Sequence, residues 1–272
     1  MSSVLRVLTV VAGVLTLAAP RASAQKDAPP EPQLNQPGKD VQWVPTPPEL
    51  AEKMLDLARL TPEDRFVDLG SGDGVLVIAA ARRGARAKGI EYDRGLVELS
   101  KRRAREAGVS DRTRFVRGDI FKTDFSDATV VTTFLLPSMN LELRPKFLAM
   151  KPGTRIVANT FAIGDWAPDD SATIEPCDRW CKAMLWVVPA RVGGVWRTPQ
   201  GLLTLTQRFQ FFTGTLGRDP IEHGRLRGET ISFTVGGASY TGRVIDDRMQ
   251  VSAMVDGKVV EWTARPAPRD HP

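Results

Sequence analysis

The stretch FVDLGSGDGV, residues 66–75, sets three glycines at alternate positions directly after an apolar run. Glycine accepts positive φ and lets a ligand approach the main chain closely. A plain turn between strand and helix needs one glycine and tolerates a second, so three point to a loop that holds a small molecule. The spacing is G-x-G-x-G, with valine at 75. It is not the G-x-G-x-x-G in which pyrophosphate rests on a helix N-terminus. Asp68 and Asp73 bracket the loop with negative charge, which repels phosphate. The ligand expected from Asp68, Gly70, Ser71, Gly72 and Gly74 therefore has an amino group and a cationic centre, and no phosphate.

Two more acids extend the pattern. Glu91 stands in GIEYD, 17 residues beyond Gly74, where a strand-end carboxylate can accept from both hydroxyls of a ribose. Asp119 stands in RGDIF, placed to accept from an adenine amino group while Ile120 covers the ring. Either acid alone reads more readily as a solvated strand end, but three acids ending three successive strands reverse that reading and fit one nucleoside. S-adenosylmethionine combines that nucleoside with an amine and a sulfonium. Methyl transfer from a sulfonium is an in-line displacement, so the protein's task is to align, exclude water and present a neutral amine. No dedicated base is needed, and the two histidines, His223 and His271, lie far from this region. Their placement also leaves a metal site unexpected.

The elements that must position these residues follow from periodicity. RFVDL (65–69), AKGIEY (87–92), TRFVRG (113–118), ATVVTTFLL (128–136) and TRIVANTF (154–161) read as strands. GVLVIAAARRG, GLVELSKRRAREAG and LELRPKFLAM between them have helical spacing. Strand and helix in alternation imply a parallel sheet covered on both faces, an open doubly wound α/β domain. Ahead of it, Leu50, Met54, Leu57 and Ala58 repeat as in a helix, with Thr46 as the expected cap. Beyond Pro199 the pattern changes to a period of two in LLTLTQRFQFF, TISFTV, SYTGRV, MQVSAMV and VVEWTA. Turn signals at Gly236-Gly237 and Asp256-Gly257 make residues 200–266 an expected antiparallel β-meander.

Composition bounds the rest. With 42% apolar and 25% charged residues the chain is an ordinary globular one. Residues 1–24 combine Arg6, an uncharged run over 7–19 and an Ala22-Ser23-Ala24 cleavage pattern, as in an export signal. The alternative is a membrane anchor formed by the same run. Loss of Arg6 and Arg21 with the signal would bring the net charge from +5 to +3. That is too weak to argue for nucleic acid. The basic cluster Lys101, Arg102, Arg103, Arg105 reads as a solvated helix face. Residues 25–42 are rich in proline and charge, as in a flexible linker. Cys177 and Cys181 close a small loop if bonded, or neighbour one another on a helical turn if not. Export favours the bond and places the protein in the periplasm or outside the cell.

At this point the sequence resembles the class I, seven-strand methyltransferases from about Trp43 to Trp196, with a Rossmann-like sheet implied. WVPTP, VDLGSGDG, GIEYD, GDIF and TTFLLPSMN are similar to the small lysine methyltransferases that act on the mitochondrial ATP synthase and on the adenine nucleotide translocase, and to their archaeal relatives. The resemblance implies that Asp68, Gly70, Ser71, Gly72 and Gly74 hold the methionine part of S-adenosylmethionine. Glu91 and Tyr92 then flank the ribose, and Asp119 and Ile120 the adenine. It implies that Phe134, Leu135, Leu136 and Pro137 wall the slot for the accepting nitrogen, with a protein lysine as acceptor. Phe134 stands where that family's motif begins with tyrosine, so no hydroxyl is available there to orient an amine. Asn140 either positions the acceptor through its amide or caps the following helix. An exported enzyme would need a donor made in the cytosol; anchoring through residues 7–19, or a relict fold serving as an envelope-binding module, would avoid that need.

Overall fold

The computed structural model describes residues 43–268, Asp256 excepted; the expected signal and linker lie outside the described residues. The first helix is α1 (Pro48–Leu57), whose Leu50, Met54 and Leu55 are buried. Pro47 is its N-cap, with no side-chain cap bond. Thr46 is therefore not the cap: it is buried, its hydroxyl 3.5 Å from Asn159 Nδ2. Two successive prolines preset the first turn, which needs no side-chain acceptor where N–H groups are already missing.

A seven-stranded sheet follows: β1 (Arg65–Leu69), β2 (Arg86–Glu91), β3 (Thr113–Arg117), β4 (Val130–Thr133), β5 (Arg155–Asn159), β6 (Asp170–Thr173) and β7 (Lys182–Val187), in the order β3-β2-β1-β4-β5-β7-β6. The first five are parallel; β7 is antiparallel to β5, and β6 at the edge is antiparallel to β7. The sheet is thus mixed rather than wholly parallel. Connecting helices are α2 (Val75–Arg82), α3 (Arg94–Glu106) and α4 (Pro137–Ala149). Central β4, the apolar and hydroxyl run VVTT, is buried at every position, as a strand covered on both faces must be. α1, α2 and α3 pack on one face with Phe66, Phe115 and Val130. α4 packs on the other, where Leu143 and Phe147 meet Ile156, Trp166 and Trp186.

The chain winds outward from β1 to β3 and returns beside β1 as β4. That reversal puts a crevice at the carboxyl ends of β1 and β4, the position where open α/β sheets bind ligands. Cys177 and Cys181, in the β6–β7 connection, are joined by a disulfide.

The C-terminal strands are β8 (Gly194–Thr198), β9 (Gly201–Arg208), β10 (Phe211–Leu216), β11 (Asp219–Pro220), β12 (Glu222–Arg227), β13 (Thr230–Val235), β14 (Ala238–Ile245), β15 (Arg248–Val255) and β16 (Lys258–Pro266). They pair antiparallel, and β9 with β10 closes the sheet into a barrel. The period of two places Phe212, Ile231, Phe233, Tyr240, Val251 and Trp262 in one core. Two features differ from the expected meander. The sheet starts at Gly194, and LLTLTQRFQFF is two strands broken at Phe209-Gln210, where Phe209 takes φ 55. Gln210 accounts for the break: fully buried, it accepts from Trp166 Nε1 at 2.9 Å and donates to Ala167 O at 2.7 Å. The barrel is thereby latched to the α/β unit, as it is by the ion pair of Arg225 with Asp169 at 3.1 Å.

Candidate active site

A cavity of about 730 Å³ opens at the carboxyl ends of β1 to β4. Residues 70–73 form its floor, tied to β2 by Gly70 N and Ser71 N, which donate to Ile90 O at 2.9 and 3.1 Å; Gly74, packed against Phe115 and Ser100, does not line it. Gly70, Gly72 and Gly74 have φ of 74, 52 and 83°, the left-handed region that side chains avoid. Space enforces the same choice at Gly72, where a Cβ would lie 2.5 Å from Trp43 Nε1. The segment before α1 lies across the loop, so the main chain there must stay bare. Gly74 is the N-cap of α2.

Asp68, on β1, is 4% exposed, and its Oδ1 accepts from the Thr132 hydroxyl of β4 at 2.7 Å. Burial pushes its carboxyl up to about 7; the Thr132 bond opposes the rise and the charges of Glu91 and Asp73 add to it. An arriving cation would favour the ionised form. Glu91 ends β2 with Oε2 accepting from Gly72 N and Oε1 from Asp93 N, both at 2.9 Å. Its carboxylate is thus fixed by two main-chain donors while each oxygen keeps a lone pair for another. Asp119 accepts from Phe121 N at 2.8 Å and lies 3.6 Å from Lys122 Nζ. Asp68, Glu91 and Asp119 all line the cavity, as expected.

Asp73 behaves differently from Asp68. Its carboxylate is paired with Arg103 of α3, so it does not present a free charge, and Arg103 is not merely part of a solvated face. Ile120 is buried at the cavity wall. Tyr92 reaches only the rim, 73% exposed. The Ser71 hydroxyl has no hydrogen-bond partner, and a Cβ at Gly89 would lie 2.5 Å from it; it fills the space that glycine leaves on β2.

Phe134 and Leu135 line the cavity beyond β4. Leu136 and Pro137 do not: Leu136 is the exposed N-cap of α4, and Pro137 is its first residue. That corrects the expectation that Pro137 walls the slot. Asn140 neither caps α4, which begins three residues earlier, nor lines the cavity. Fully buried, it donates to Phe161 O at 3.0 Å and positions the chain after β5. Sequence reasoning missed Thr132, Met139 and a ring cluster of Phe134, Phe161 and Trp180, whose centroids lie 5.5–6.3 Å apart. The signal for the last was a tryptophan inside CDRWC, residues 177–181.

The donor set fits S-adenosylmethionine. Carboxylates over β1, β2 and β3 match an amine, a ribose and an adenine, and the bordering cations Arg94 and Arg117 stay exposed at the rim. When bound, the cofactor supplies an electrophilic methyl group on a sulfonium.

Residues 68–170 match the ANTKMT methyltransferase domain. Over 138 residues the chain is 38% identical to a protein-lysine N-methyltransferase of Saccharolobus islandicus, covering 50% of this chain and 86% of that one. It is 40% identical to the adenine nucleotide translocase lysine N-methyltransferase of Mus musculus over 43% of this chain, and spans about half (52%) of that relative. Among solved structures it resembles one described as an RNA methyltransferase from Salinibacter ruber, in complex with S-adenosyl-L-homocysteine. There the identity is 45%, the TM-score 0.52, and the match covers 55% of this chain and 96% of that one. These matches fall short of the whole chain.

Proposed function

This chain belongs to the protein-lysine N-methyltransferase family of class I S-adenosylmethionine-dependent methyltransferases, and we propose that it methylates the side-chain amine of a protein lysine. The observation that carries the reading is the cavity's division into two chemistries. Acids and bare main chain cover β1 to β3, and apolar Phe134, Leu135 and Met139 follow β4. Asp68, Gly70, Ser71 and Gly72 would hold the methionine part, with Gly74 turning the chain into α2, Glu91 the ribose, and Asp119 with Ile120 the adenine. The apolar wall desolvates the entering amine, which lowers its pKa and favours the neutral, nucleophilic form. Alignment and exclusion of water then provide the rate. The intact glycines and acids speak against a relict fold.

The lysine reading rests on the archaeal and mouse relatives; the description of the Salinibacter protein makes RNA the second acceptor class. Incubation of the protein with cell extract and methyl-labelled S-adenosylmethionine separates the two. The expected label is in protein and is recovered as methyllysine after acid hydrolysis. Label in RNA and none in protein would overturn the lysine reading. We further assign residues 1–24 to export or membrane anchoring and the protein to an oxidising compartment, a reading supported by the Cys177–Cys181 disulfide.

A further inference from the structure

We propose that Trp180 is an acceptor-positioning residue, and that the Cys177–Cys181 disulfide holds it in place. The proposal rests on the reading of the cavity as the cofactor site and extends that site past its apolar end. Along the sheet order the acids stand over β3, β2 and β1, and Phe134 follows β4. The side still open to an incoming amine lies beyond β4, toward β5, β7 and β6.

Three connections meet there, each contributing one ring: Phe134 from β4–α4, Phe161 from β5–β6 and Trp180 from β6–β7. Trp180 meets Phe134 edge-on at 5.6 Å and Phe161 at 5.5 Å. All three are half-buried, so together they face solvent as an apolar wall continuous, through Phe134, with the cavity. Such a wall suits the chain of methylenes that carries a lysine amine, because ring faces and edges pack against aliphatic carbon and keep water from it.

The wall is held from several sides. Asn140 Nδ2 fixes Phe161 O at 3.0 Å. Thr160 N donates to Lys182 O at 2.7 Å and Ile174 N to Cys181 O at 3.0 Å, which roots Cys181 at the start of β7. The disulfide ties the outer limb of the loop, at Cys177, to that root. Trp180 itself has φ 61, a left-handed conformation unfavourable for a bulky side chain that persists only where its surroundings impose it. A ring meant only to fill core would not need an exposed five-residue covalent loop to hold it.

Two binding probes test this without knowledge of the acceptor protein. One is S-adenosylhomocysteine; the other is its aza analogue whose central nitrogen carries an alkylamine of lysine length. Titration calorimetry on the full oxidised chain should show the alkylamine analogue binding about tenfold tighter. In Trp180→Ala, and in Cys177→Ser with Cys181→Ser, that gain should fall to about twofold while S-adenosylhomocysteine affinity stays unchanged; Trp180→Phe should keep most of it. An undiminished gain in both the alanine and serine variants would overturn the proposal, as would equal loss for the two probes, which would mark the loop as structural. Failure of the unaltered chain to bind S-adenosylhomocysteine would overturn the cofactor reading and this proposal with it, whereas failure of the proposal alone leaves that binding intact.

Discussion

The crevice at the ends of β1 to β4 and the C-terminal barrel are built on opposite terms. The crevice concentrates buried polar groups that oppose folding: an acid at Asp68, and the hydroxyls of Ser71 and Thr133 without partners. The barrel concentrates residues that favour it, with Phe212, Phe233, Tyr240 and Trp262 in one chain of ring contacts, and Trp262 Nε1 is its one buried polar side-chain atom without a partner among the described residues. Binding chemistry is thus assembled where stability is sacrificed, and the core elsewhere offsets it. The difference makes a prediction in each region: stability and binding should respond to separate sets of substitutions.

The largest effect belongs to the barrel. Phe233 is 2% exposed and stacks on Tyr240 at 5.0 Å, so Phe233→Ala should cost about 3–5 kcal/mol through lost transfer energy and the cavity left behind. Chemical denaturation measures this. Cofactor affinity of the folded fraction should stay within about twofold. A matching loss of affinity would show that the Gln210 latch couples the two regions and that the contrast is false.

Glu91→Ala is the converse. It removes the ribose acceptor and frees Gly72 N and Asp93 N, so S-adenosylmethionine affinity should fall about 100-fold. Its cost in stability should be about 1–3 kcal/mol, since Gly72 is buried and its freed N–H is left without an acceptor. Titration calorimetry beside a denaturation curve reads both numbers. If stability fell by several kcal/mol with affinity little changed, Glu91 would be a structural brace for the loop.

The same contrast decides what is legible in the sequence. The crevice is legible because its chemistry sits in contiguous motifs: one loop and two strand ends carry Asp68, Glu91 and Asp119. The barrel strands are legible from their period of two. Features assembled from distant segments are not. Thr132 matters through its bond to Asp68 across 64 positions. Gln210 matters through Trp166 and Ala167. β6 and β7 leave no clear trace because DSAT is largely exposed and AMLWV stands alone, so neither shows alternation. Pro137 and Asn140 are misplaced by their pattern because α4 starts directly on a proline after an apolar N-cap, Leu136, so no capping side chain announces the start.

The effect of pH is the most diagnostic, because it is a slope with a sign. In the folded chain the Asp68 carboxyl is raised by burial from 3.8 to about 7. Between those values the folded state holds a proton that the unfolded state has released, so stability of the unliganded protein should decline as pH rises through that window. Ligand binding has the opposite dependence: a sulfonium or ammonium group favours the ionised carboxylate, so affinity should drop about tenfold per pH unit below 7 and level off above it. Calorimetric titration across the pH range, with Asp68→Asn as reference, checks both halves, since that variant should bind weakly and lose the slope. An affinity that stayed flat below pH 7 in the unaltered chain would mean that Asp68 is already ionised in the crevice or does not face the ligand's charge. The first would remove the stability cost that sets the crevice apart from the barrel, and the pH dependence of stability tells it from the second.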